Sequence, residues 1–336
     1  MYKCKYNFWD EKHFPGFQKA LSDLYDRSIE NYLYNEKHDP KNKVRDLSSI
    51  YKVFPLIEYY YVSLLKLGYV DKKNYNNILN QLKSIECISV LNPGNLRGVT
   101  VGTKISINPE LKASGDLNGE DMFKLTVFHE LGHVINFSWT DEMVKLCDRM
   151  FKNVEVQNKL KKYGINSKND LVNGFILLED VLVHEAAEDV LYRDKETARP
   201  SFLKYKNSNF PNIIFRSNYS LYQIFQELGL NFFRCLKTCD CYQEKTVNSA
   251  LKKSTLKGFN ANFINNIENE MNTDIERYGD FALMLGCLGK IKNATYSEFG
   301  LGTSTDINTN SYYYNLFLQA VNSKIIRNTN EKRQVY

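Results

Sequence analysis

Residues 129 to 133 read His-Glu-Leu-Gly-His. The chain has five histidines in 336 residues, at positions 13, 38, 129, 133 and 184. Two of them four apart, with a glutamate directly after the first, have a chance expectation of roughly 0.005 in a chain of this composition. Residues four apart share one face of an α-helix, so the imidazoles of His129 and His133 can reach a single tetrahedral zinc at about 2.0–2.1 Å. Glu130 sits about 100° further round the helix, where its carboxylate can reach a metal-bound water without being a ligand itself. Zinc lowers the pKa of such a water toward about 7. Glu130 would then serve as general base in attack on a carbonyl, and afterwards as the acid that protonates a leaving amine.

A catalytic zinc site takes three protein ligands and keeps one position open, with one ion per chain. The extended HExxHxxGxxH motif is excluded as the source of the third ligand, because Asn136 and Trp139 stand where it needs Gly and His. The leading candidate is Glu185, in the run LLEDVLVHEAAEDVLYR, where helical spacing sets it among Leu178, Val181, Leu182 and Tyr192. A carboxylate in such company is costly unless it is used. Glu179, at the other margin of the same apolar arc, is the rival. Asp189, one turn beyond Glu185, is placed to accept the second N–H of a ligating imidazole and fix its tautomer. His184, Glu188 and Asp180 read as the polar, solvated side of this helix.

The elements that must position these groups follow from periodicity. Residues 14 to 86 carry helical spacing in three segments, with Pro55 expected to kink or divide the second. Around Gly102 the pattern changes to alternation, Val99/Val101 and Ile105/Ile107, which predicts strand, turn and strand. A loop over 115–119 leads into a helix starting at Asp121 that carries the motif. On that helix Met122, Thr126 and Asn136 share the histidine face, while Val127, Phe128, Leu131, Val134 and Ile135 form the opposite arc. The helix is therefore expected to be apolar behind and polar toward a cleft. Residues 201 to 336 read as mostly helical with a polar loop at about 293–311. The fold class is α+β, predominantly helical, with an N-terminal helical region at 1–87, a core at 88–200 and a C-terminal helical region at 201–336.

Composition narrows the function classes. At 43% apolar and 25% charged residues the chain is globular rather than disordered or collagen-like. A net charge of +5 is too small and too dispersed to predict a nucleic-acid partner. The longest apolar run, Phe281 to Gly289, is about half of a membrane span, so none is expected. The N-terminus lacks the apolar core of a secretory signal, and seven cysteines are an odd number. Both point to a reducing cytoplasm by default, with export by a signal-independent route as the other course. Cys235, Cys239 and Cys241 do not match a zinc-knuckle spacing and read as incidental thiols. The triple tyrosines at 59–61 and 312–314 read as helix packing with one ring exposed.

His129-Glu130-Leu131-Gly132-His133, followed by a helical Glu185 and Asp189 in ExxxD spacing, resembles the gluzincin class of zinc metallopeptidases. Over residues 88 to 193 the run GVTVGTKISINPEL, a loop and FKLTVFHELGHVINF is similar to two groups, the intracellular ImmA/IrrE-type peptidases and the lethal-factor-type toxin peptidases. The resemblance implies a zincin-like catalytic core in which a small sheet precedes the active helix and helical extensions flank both sides. It also implies that residues 98 to 107 form a sheet edge that pairs with an extended substrate. No histidine follows position 184, so oxyanion stabilisation falls to a tyrosine or arginine, with Tyr219, Tyr222 and Tyr278 as candidates. The expected function is a zinc-dependent metalloendopeptidase acting on a protein or peptide substrate. The alternatives are a non-catalytic regulatory or binding protein on the same scaffold, and an effector or toxin protease acting on a host protein.

Overall fold

The computed structural model describes residues 2–38, 47–67, 75–90, 97–113, 117–136, 140–193, 275–297, 300–301, 312–313 and 316. Helical spacing of apolar residues in the N-terminal third produces α1 (Phe17–His38), α2 (Leu47–Lys66) and α3 (Tyr75–Ser84). α1 buries Phe17, Ala20, Leu21, Leu24 and Ser28, the single stripe of an amphipathic helix, and its last turn carries Lys37, a cation suited to a helix C-terminus. Pro55 lies inside α2 without dividing it. The carbonyl that loses its donor there belongs to Tyr51, a residue that is 46% exposed.

The expected strand pair forms as β2 (Gly98–Val101) and β3 (Lys104–Ile107), turning at Gly102 with φ +62, a left-handed conformation that favours glycine. A further strand, β1 (Cys87–Val90), pairs parallel to β3, so the sheet order is β1-β3-β2 and β3 is central. Only β2 of the 98–107 segment is therefore an edge. The register also separates the two alternating sets. Gly98 and Thr100 lie opposite Ile107 and Ile105 on one face, whereas Val99 and Val101 lie opposite Ser106 and Lys104 on the other. The isoleucines enter the core and Val101 is 69% exposed.

The motif helix is α4 (Gly119–Asn136). Asn118 caps it, its Oδ1 accepting from the Asp121 N–H at 2.8 Å, and Glu120 and Asp121 add negative charge to the first turn. Beyond it come α5 (Thr140–Lys152), α6 (Val154–Lys161), α7 (Lys168–Tyr192) and α8 (Ile275–Thr295), then a short antiparallel pair, β4 (Tyr296–Ser297) with β5 (Gly300–Leu301).

The chain divides into two compact units. The first holds α1 to α4, the three-stranded sheet and α7 from Val183 onward. Its core joins Leu21, Phe54, Ile57 and Tyr61 of the N-terminal helices to Ile88 and Ile105 of the sheet and to Phe128 and Leu131 of α4. The tyrosine run 59–61 packs as helix residues there, but none of its rings is exposed as expected: Tyr60 and Tyr61 are fully buried, and Tyr59 is partly buried beneath the Arg193 guanidinium, 4.5 Å from its ring centroid. The second unit holds α5, α6, α7 up to Leu182, α8 and the β4/β5 pair. The apolar run Phe281–Gly289 is buried within α8. Asp280 pairs with Lys159, and Asp170 lies 3.4 Å from Lys290. The protein is a mostly helical α+β structure with one small three-stranded sheet among the described residues. Among the same residues no helix is long and apolar enough to cross a membrane.

Candidate metal centre

α4 brings His129 and His133 together as their spacing requires. Their Nε2 atoms are 3.0 Å apart and their rings are nearly perpendicular, with centroids at 4.6 Å. Val127, Phe128, Leu131 and Val134 pack into the core behind them, which fixes the rotation of the helix about its axis. The face expected to be polar toward a cleft is in part covered. Met122, Thr126 and Glu130 are 2%, 5% and 5% exposed.

The cover over Thr126 and Glu130 is β2. The Thr100 hydroxyl donates to Glu130 Oε2 at 2.6 Å and lies 3.2 Å from the Glu130 carbonyl oxygen. A Cβ at position 98 would come within 2.7 Å of Glu130 Oε1 and 2.8 Å of Thr126 Cγ2. Glycine at 98 is what lets the strand lie this close to the helix. Thr100 is a site residue that the motif does not contain. Its signal in the sequence is the strand period of two, which sets 98 and 100 on one face.

α7 supplies a third imidazole. His184, expected on the solvated side of its helix, is 9% exposed, and its ring centroid lies 5.5 Å from that of His129. Its Nε2 is 3.1 Å from Glu188 Oε1, so Glu188 is a partly buried partner rather than a solvated residue. The cause is Gly132, between the two motif histidines. A Cβ there would sit 2.6 Å from Val183 Cγ1, so only a residue without a side chain lets Val183, and His184 with it, come this close.

Residue 185 falls within α7, but the side chain of Glu185, the expected third ligand, lies outside the described residues, as do those of Asp180 and Asn136. Asp189 is half-buried in the first unit, and Glu179 is half-buried in the second. Of the tyrosines considered for oxyanion stabilisation, Tyr219 and Tyr222 lie outside the described residues, together with Cys235, Cys239 and Cys241. Tyr278 is 2% exposed on α8 of the second unit. Among the described residues no group of three or more His, Cys, Asp or Glu side chains is gathered as a metal-holding set. No protein-family model matches this chain, and no similar curated protein or solved structure is found.

Proposed function

We propose that the protein is a zinc-dependent metallopeptidase of gluzincin type that hydrolyses a peptide bond in a protein or peptide substrate. The observation that carries this reading is the pair of imidazole Nε2 atoms 3.0 Å apart on α4, directly beside a buried glutamate. Two ligands at 2.0–2.1 Å from a tetrahedral ion stand about 3.4 Å apart, so this donor pair fits a metal with a shift of a few tenths of an ångström.

In this reading His129, His133 and Glu185 hold the ion, and Asp189 orients a ligating imidazole. Zinc, when bound, supplies the Lewis acidity that activates water and polarises a peptide carbonyl. The chain does the rest. Glu130 takes the proton of the attacking water on its carboxylate and delivers it to the leaving amine nitrogen. β2, an edge strand among the described residues, offers main-chain groups to an extended peptide.

Glu130→Gln keeps the shape of the side chain and removes its basicity. The substituted protein is expected to fold and to retain one zinc per chain by elemental analysis, while cleavage of a fluorescence-quenched peptide library falls by about 10²–10⁴-fold. Full cleavage by a zinc-loaded Glu130→Gln protein would overturn the mechanism. A purified chain that takes up no zinc would overturn the metal centre.

A further inference from the structure

We propose that Thr100, on β2, is a positioning residue for Glu130: its hydroxyl engages one carboxylate oxygen and so fixes the orientation of the base. The inference rests on the peptidase reading above, and it deepens that reading by naming the group that holds the base.

A threonine hydroxyl has one proton to donate, and its nearest acceptor is Glu130 Oε2 at 2.6 Å, within the short range of hydroxyl-to-carboxylate bonds. Thr100 Oγ1 also lies 3.2 Å from the main-chain carbonyl oxygen of Glu130, but its single proton goes to the nearer Oε2. A glutamate whose carboxylate is held in this way loses the rotamer freedom that an exposed one keeps. The contact is built rather than incidental. β2 presents positions 98 and 100 to α4 together, and the missing Cβ of Gly98 lets the strand pack directly against Oε1, which a Cβ there would approach to 2.7 Å. The strand thus bonds Oε2 through Thr100 and packs against Oε1 at Gly98. Proton transfer needs the accepting oxygen within hydrogen-bond reach of the proton it takes, and a freely turning carboxylate meets that condition for only part of the time.

The test compares Thr100→Val, which replaces the hydroxyl with a methyl of similar size, with Thr100→Ser, which restores the donor. With the fluorescence-quenched peptide library as probe, Thr100→Val is expected to lower kcat by about 10- to 100-fold, the usual range for a partner that orients a catalytic group. KM and zinc content stay unchanged, and Thr100→Ser recovers most of the rate. In a Glu130→Gln background Thr100→Val is expected to add nothing further, since Thr100 acts through that carboxylate. Crystal structures of the zinc-loaded proteins supply a readout independent of turnover: the Glu130 carboxylate leaves its position in Thr100→Val and keeps it in Thr100→Ser.

An unchanged kcat in Thr100→Val beside an inactive Glu130→Gln protein overturns the role of Thr100 and leaves the peptidase reading standing. Equal cleavage by wild-type and Glu130→Gln proteins overturns that reading, and the catalytic role of Thr100 falls with it. An unmoved carboxylate in the Thr100→Val crystal overturns the positioning directly. Should Thr100→Val fail to fold, Thr100→Ala against Thr100→Ser gives the same comparison.

Discussion

At the scale of single residues, the chemistry concentrates on a few side chains that differ in how they are held. His129 and His133 are brought together by the pitch of one helix, whereas His184 reaches them from another, 5.5 Å from His129 between ring centroids and paired with Glu188. If His129 binds zinc as proposed, the imidazole packed against it restricts its ring, and partners that orient a ligand are worth about 10- to 100-fold in metal affinity. Replacing His184 with Ala is therefore expected to weaken zinc binding by about tenfold. Competition with a chromogenic chelator measures this, and an unchanged affinity would reduce the contact to simple packing. The motif residues could be read directly from type and spacing. His184 could not, because its helix carries polar residues on more than one side. Nothing local says that its imidazole meets one about fifty positions earlier in the chain. Thr100 was hidden for the same reason: its partner lies thirty residues away, across a strand-to-helix contact.

At the scale of elements, two close approaches bring the site together, β2 onto α4 at Gly98 and α7 onto α4 at Gly132. The second is a clean place to intervene. Gly132→Ala would set a methyl 2.6 Å from Val183 Cγ1 and 3.3 Å from the Tyr60 hydroxyl, so the end of α7 must retreat. Overpacking of this kind costs about 1–3 kcal/mol, against a small gain in helix propensity from removing glycine. The expected result is a lower urea midpoint and weaker zinc binding. Val183→Ala added to Gly132→Ala is expected to recover part of both, and failure of that rescue would place the strain elsewhere. The helices of the N-terminal third and the β2/β3 pair were readable from their periods. β1 was not: β2 and β3 are joined through a glycine turn that marks them as a pair, whereas Cys87–Val90 has no such neighbour in sequence and owes its strand identity to parallel pairing with β3. Of the two outcomes expected at Pro55, division of the helix does not occur, although a proline costs a helix one donor.

At the scale of the whole molecule, each unit has its own core, and the second is closed around thiols as well as hydrocarbon. Burial pushes the Cys147 thiol up to about 12 and raises that of Cys287 as well. A thiol whose folded value is raised ionises first in the unfolded chain. Its contribution to stability is intact below about pH 8.5 and is lost as pH climbs toward its folded value. Native protein at pH 8 is thus expected to leave Cys147 and Cys287 unmodified by iodoacetamide, and denaturant to expose both; mass spectrometry of the peptides decides it, and rapid native labelling would contradict a closed core. Local features were legible in the chain alone: the helices of the N-terminal third, a strand pair turning at Gly102, and two imidazoles and a carboxylate crowding one turn of α4. Helical pitch and strand alternation are properties of neighbouring residues, so they need no fold to express them. Only the tertiary structure decided that β2 covers Glu130 and that His184 stands beside His129. Those contacts depend on the distance between separate elements, which Gly98 and Gly132 set by the side chains they lack.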